Sequence, residues 1–192
     1  VCYQETKLRE EDSIRSAEDT AGRMGWKLSM SKAASGERGG ASAGVGITIR
    51  KHLGLARADV EYELGIESRF LLRKLGAVCK GGLHVGSVYL HHMVGPADPK
   101  NKAILEKIAF HLKSLAGSWA LAGDWNCTPE ELRATGWLQL IGAEIQAPKD
   151  NTCNDKRYDF FVVKTDLCGA VYSVNTIADG IFYPHSPVRL YL

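Results

Sequence analysis

Apolar residues at positions 104, 105, 108, 109, 112 and 115 (Ile104, Leu105, Ile108, Ala109, Leu112, Leu115) recur every three or four residues. That spacing predicts a helix over 101–115 with one apolar face, the clearest amphipathic helix of the chain. Ile14, Ala17, Ala21 and Met24 repeat it more weakly, with Gly22 and Gly25 closing the run. They predict a helix over 10–24 that is solvated on one side. Thr128-Pro129-Glu130-Glu131 opens a third helix. Thr128 is the N-cap, Pro129 takes the first helical position and Glu131 stands at the capping-box position. Alternating or continuous apolar runs predict strands at 1–5, 26–30, 44–49, 71–79, 84–90, 119–123, 158–163 and 188–192, with a weaker one at 170–175. Lys80-Gly81-Gly82 makes a hairpin of the fourth and fifth runs, and 35–40 reads as a loop. Strands dominate and helices interrupt hairpin-like pairs. An α/β sandwich fits this order better than a regular parallel βαβ array.

Composition narrows the class without naming a reaction. At 192 residues the length prior gives one domain. A 45% apolar and 24% charged composition argues for a globular domain rather than disorder. The net charge of +2 neither demands nor excludes a nucleic-acid partner, because a basic patch can hide inside a small total. No apolar run reaches the ~20 residues of a membrane span. The five cysteines, Cys2, Cys79, Cys127, Cys153 and Cys168, form no CxxC pair, so they read as free thiols of a reducing compartment.

Four clusters carry candidate chemistry. Glu5, in Gln4-Glu5-Thr6, ends a strand, where a carboxylate suits a hard divalent cation or simply faces water. In Gly123-Asp124-Trp125-Asn126, alternation puts Asp124 and Asn126 on one side. The acid can orient water or a metal and the carboxamide can donate to a phosphate oxygen; capping of the next helix is the plainer role. Tyr89-Leu90-His91-His92 ends another strand, and alternation sends His92 to the face opposite His91. Asp159 enters an apolar strand, where a lone buried carboxylate is costly unless paired, or else faces solvent at a sheet edge.

In this order, and with His185-Ser186-Pro187-Val188 near the end, these pieces resemble the endonuclease/exonuclease/phosphatase superfamily, and within it the abasic-site and non-LTR retroelement endonucleases. Gly44-Val45-Gly46-Ile47 resembles the family's third strand. The resemblance implies a four-layer α/β sandwich of two packed, mostly antiparallel sheets flanked by helices. It implies a single domain over 1–192 whose first strand would lie upstream of Val1 and is missing. The implied activity is divalent-metal-dependent hydrolysis of a phosphodiester. Glu5 would hold Mg2+ (or Mn2+). His185, paired with Asp159, would take or position a proton, Asp124 would orient the attacking water, and Asn126 and His91 would hold phosphate oxygens. Thr152 stands where the family often has a threonine. Two positions depart from the pattern: Trp125 replaces the usual Phe, and Pro184 replaces an Asp that helps hold the metal. The implied partner is nucleic acid, DNA first, with a nuclear location for a retroelement or repair enzyme. Lys32, Arg38, Arg50 and Lys51 are candidates for a backbone-binding rim or a scattered solvated surface. RNA, lipid and inositol phosphates share the core motifs as substrates. A non-catalytic scaffold is the alternative of another class, suggested by Pro184 and the missing strand.

Overall fold

The structure, a computed structural model, describes residues 1–36, 39–59, 62–177 and 182–192. Arg38 of the expected rim lies outside the described residues. In chain order the elements are β1 (Cys2–Tyr3), α1 (Glu11–Arg23), β2 (Trp26–Met30), β3 (Ala34–Ser35), β4 (Ala41–Ser42), β5 (Gly46–Arg50) and β6 (Leu55–Arg57). Then follow β7 (Phe70–Leu75), β8 (Leu83–Tyr89), α2 (Pro99–Lys113), β9 (Trp119–Asp124), α3 (Pro129–Ala134) and α4 (Trp137–Ile141). The chain closes with β10 (Ala143–Gln146), β11 (Asp159–Lys164), β12 (Ser173–Thr176) and β13 (Val188–Tyr191).

A six-stranded sheet in the order β10-β11-β9-β8-β7-β6 is antiparallel throughout except for β8 and β9. That parallel pair needs a crossover, and α2 supplies it. A three-stranded antiparallel sheet, β1-β5-β2, packs against it; β12 pairs with β13 and β3 with β4. Alternation along β7 shows how the layers separate. Phe70 and Leu72 join a core with Ile104, Ile108 and Leu112 of α2 and with Trp137 of α4. Leu71, pointing the other way, joins Val45, Ile47 and Ile49 between the two sheets. Ser87 stitches the sheets: its hydroxyl donates to Tyr3 O at 2.8 Å and accepts from Gln4 Nε2 at 2.9 Å. Helix α1 packs on β2 and buries no residue fully. The layers are thus helices α2–α4, the large sheet, the small sheet and α1.

Among the described members of the expected basic rim, Lys32 does not cluster with Arg50 and Lys51. Antiparallel pairing sets Trp26 opposite Arg50 and Met30 opposite Gly46. Arg50 and Lys51 therefore lie at the far end of the small sheet from Lys32, ~13 Å along a five-residue strand. Arg50 stacks on the Trp26 ring at 3.9 Å, and Lys32 pairs with Glu11.

Candidate active site

Three neighbouring strands end together at one edge of the large sheet. Tyr89 closes β8, Asp124 closes β9 and Asp159 opens β11. Pairing sets Asp124 beside both Tyr89 and Asp159. Directly opposite residues project to the same face, so the register itself brings the two carboxylates together. Gly123 is required in the approach: a Cβ there would lie 2.9 Å from Val88 O and 3.1 Å from the Trp125 ring. Trp125 turns inward, stacks on Phe160 with centroids 5.4 Å apart and donates Nε1–H to Phe160 O at 3.0 Å. It is fully buried, so the large aromatic anchors the turn that carries Asp124 and Asn126.

His185 arrives from the C-terminal segment. Its Nδ1 lies 2.8 Å from Asp159 Oδ2. Ligand atoms of Asp124, Asp159 and His185 all lie within 4.8 Å of one another. Buried Thr152 joins the two arms. Its Oγ1 accepts the backbone N–H groups of Tyr158 at 3.0 Å and Asp159 at 2.9 Å. Its carbonyl accepts Ser186 N–H at 2.6 Å. Burial, and then the Asp159 charge, push the Asp124 carboxyl up to about 7, while His185 and the Asn126 N–H pull the other way. The hydrogen bond to Asp159 holds His185 above the ordinary imidazole value of 6.5, against partial burial.

Glu5 stands at the tip of β1 in a left-handed conformation (φ 56°), as does Lys7. Backbone bonds from Thr6 N to Gly44 O and from Lys7 N to Ala43 O, both 3.0 Å, hold this unusual turn. Its carboxylate meets Lys7 Nζ at 3.2 Å and lies near the Tyr89 hydroxyl. It acts electrostatically on Asp124 and His185 but is not one of the three groups within 4.8 Å. Burial and the Glu5 and Asp124 charges raise the Tyr89 phenol to about 12, so it remains a donor at neutral pH. The Arg69 guanidinium lies over the same ring at 5.2 Å.

The two histidines after β8 do not follow alternation. The strand ends at Tyr89, and the chain turns after Leu90 pairs with Asp124 O. The ring of His92, expected on the opposite face, therefore reaches Asn126 Oδ1 at 2.8 Å. The hydrogen bonds of His91 run through its backbone to Asn101. Its ring sits by Arg69 and Lys100, and burial plus those two charges lower its pKa. Pro184 is exposed and offers no ligand atom.

A model of the Endonuclease/Exonuclease/phosphatase family matches residues 1–186. The chain belongs to this family. Solved structures with the same fold include the AP endonuclease LMAP from Leishmania major, at 15% identity and TM-score 0.69 over 100% of this chain and 77% of that one. The 3' phosphatase NExo from Neisseria, bound to a product DNA hairpin, is 18% identical with TM-score 0.66 over 98% and 86%. The endonuclease domain of TRAS1, a telomere-specific non-LTR retrotransposon, is 15% identical with TM-score 0.65 over 100% and 97%. No curated protein sequence matches the chain.

Enzymes of the endonuclease/exonuclease/phosphatase family typically use divalent metals. The donor set here fits one: the converging oxygens of Asp124 and Asp159, with Glu5 at the edge, are the hard ligands such ions take. Tyr89 is the site-lining group that sequence reasoning passed over in favour of His91. The signal that finds it is its register with Asp124, which exists only once β8 and β9 are paired.

Proposed function

We propose that this family member is a divalent-metal-dependent phosphodiesterase that cuts DNA, an endonuclease of the abasic-site or retroelement type. The observation that carries the reading is the convergence of Asp124, Asp159 and His185, with Glu5 and Tyr89 beside them. Glu5 would hold the cation, Mg2+ or Mn2+, beside the facing carboxylates. When bound, it supplies positive charge that offsets that of the phosphate.

The chain's own groups divide the proton work. Asp124 orients the attacking water and accepts its proton. His185, paired with Asp159 and with its pKa raised by that hydrogen bond, takes or positions a proton at the reacting oxygen. Asn126 and Tyr89 donate to the oxygens on which negative charge builds. DNA as the substrate is favoured by the neighbours, two of which are endonucleases and one of which is bound to a DNA hairpin. Pro184 favours a second reading, a scaffold that binds nucleic acid without cutting it, since a proline side chain offers no ligand.

Nicking of supercoiled plasmid separates the two. With Mg2+ the chain converts the plasmid to open circles, EDTA abolishes this, and Asp124→Ala lowers the rate at least ~100-fold. Plasmid binding without nicking, in Mg2+ and in Mn2+, would overturn the enzyme reading in favour of the scaffold.

A further inference from the structure

The carboxamide of Asn126 is fixed from both ends. Its Nδ2 donates to Leu90 O at 3.0 Å, and its Oδ1 lies 2.8 Å from His92 Nδ1. A backbone carbonyl only accepts, so the nitrogen must face Leu90 and the oxygen must face His92. An amide oxygen also only accepts, so His92 Nδ1 must carry the proton. The backbone is fixed as well: Asn126 has φ 47°, and its N–H donates to Asp124 Oδ1 at 3.1 Å. With the oxygen engaged by His92 and one amide hydrogen by Leu90, the second hydrogen on Nδ2 remains for a ligand. A donor in that place suits an anionic oxygen, whereas a flipped amide would present a lone pair and repel it.

We propose that His92 is a positioning residue: it holds the Asn126 carboxamide with N–H, not C=O, directed to the phosphate. The inference rests on the proposed phosphodiester chemistry for its consequence but not for its geometry. Nothing else contacts that oxygen among the hydrogen bonds of the described residues. Leu90 O alone leaves the amide on a single tether. His92 is exposed on a turn, so its substitution disturbs no core packing.

Two isosteric variants provide the test. In His92→Asn, a donor nitrogen stands as many bonds from Cβ as Nδ1 does. In His92→Asp, an acceptor takes the same place, repels Oδ1 and draws Nδ2 toward itself. Loss of one oriented donor bounds the effect at ~100- to 1000-fold in kcat, and loosening it is expected to cost about tenfold. Thus His92→Ala lowers kcat about tenfold with KM little changed, His92→Asn stays within about threefold of wild type, and His92→Asp falls below His92→Ala. In an Asn126→Ala background the three variants become equal, as a double-mutant cycle requires of residues that act through one another. Imidazole 15N NMR gives a readout independent of turnover. Neutral His92 is the Nδ1–H tautomer in wild type and reverts to the commoner Nε2–H form in Asn126→Ala. An Nε2–H tautomer in wild type, or equal rates for the Asn and Asp variants, would overturn the proposal. If wild type cuts no plasmid, the DNA reading fails while the NMR result still decides the orientation of the amide.

Discussion

Asp124 carries the sharpest consequence at the scale of single residues. A buried carboxyl raised from 3.8 to about 7 holds a proton that the unfolded chain has released. The folded state then binds more protons than the unfolded one between about pH 4 and 7, so stability falls as pH rises through that window. His185 acts with the same sign. Its folded value is raised above 6.5, so its contribution is complete below the unfolded pKa and is lost as pH rises through the folded one. At 1.36 kcal/mol per unit, the Asp124 effect alone is on the order of 4 kcal/mol. Asp124→Asn keeps an acceptor for the Asn126 N–H and removes the ionisation. In EDTA the variant is therefore expected to be more stable than wild type at pH 8 and close to it at pH 4. Urea unfolding at the two values checks this, and parallel pH dependences for the two proteins would contradict it. The same substitution removes the proton acceptor, so gained stability and lost activity go together, as at other strained sites.

At the scale of elements, the site depends on how two segments without regular structure of their own are held. Thr152 ties the entry of β11 to the His185 segment with one hydroxyl and one carbonyl. Thr152→Val keeps the shape but leaves two N–H groups unsatisfied, at a cost of about 1–3 kcal/mol, and lowers kcat; Thr152→Ser restores both. Equal Tm values for the Val and Ser variants in thermal unfolding would show that the hydroxyl holds nothing. Elements with a repeating signal were legible in the sequence. Strand 26–30 forms as its alternation predicts, and Thr128 and Glu131 make both bonds of the capping box. Leu55–Arg57, Ala143–Gln146 and Trp137–Ile141 were not legible: the first two carry one large apolar residue each, and the third is shorter than two helical turns. Tertiary partners create them: Leu55 pairs with Leu75, Ile145 with Val162, and Trp137 donates Nε1–H to Leu105 O at 2.7 Å. The candidate site divides in the same way. Asp124 and Asp159 announce themselves as acids in apolar strands. The choice between His91 and His92 depends on where β8 ends, which alternation cannot show.

At the scale of the molecule, the residues of the site are gathered from positions 5 to 185, while the buried cores hold residues from 43 to 162. Trp119, Trp125 and Trp137 lie in the core between the large sheet and its helices. The strands on either side of His185 in sequence, β12 and β13, pair with each other and bury no residue fully. What ties His185 and its neighbour inward is the bond to Asp159 and the Ser186–Thr152 bond, which sets Cys153 opposite His185. Segments with few buried contacts open at lower free energy than the core. His185 is therefore expected to leave the site before the tryptophan core is exposed. In a urea titration, activity should be lost at a lower midpoint than the fluorescence change of the buried tryptophans. Amides of β12 and β13 should exchange faster than those of β8 and β9, whose ladder lies in the middle of the sheet. Coincident transitions, with β13 protected as strongly as β9, would show instead that the C-terminal strands belong to the cooperative core. The order matters for function: a site completed by a little-buried arm can lose His185 while the fold that positions Asp124 and Asp159 remains intact.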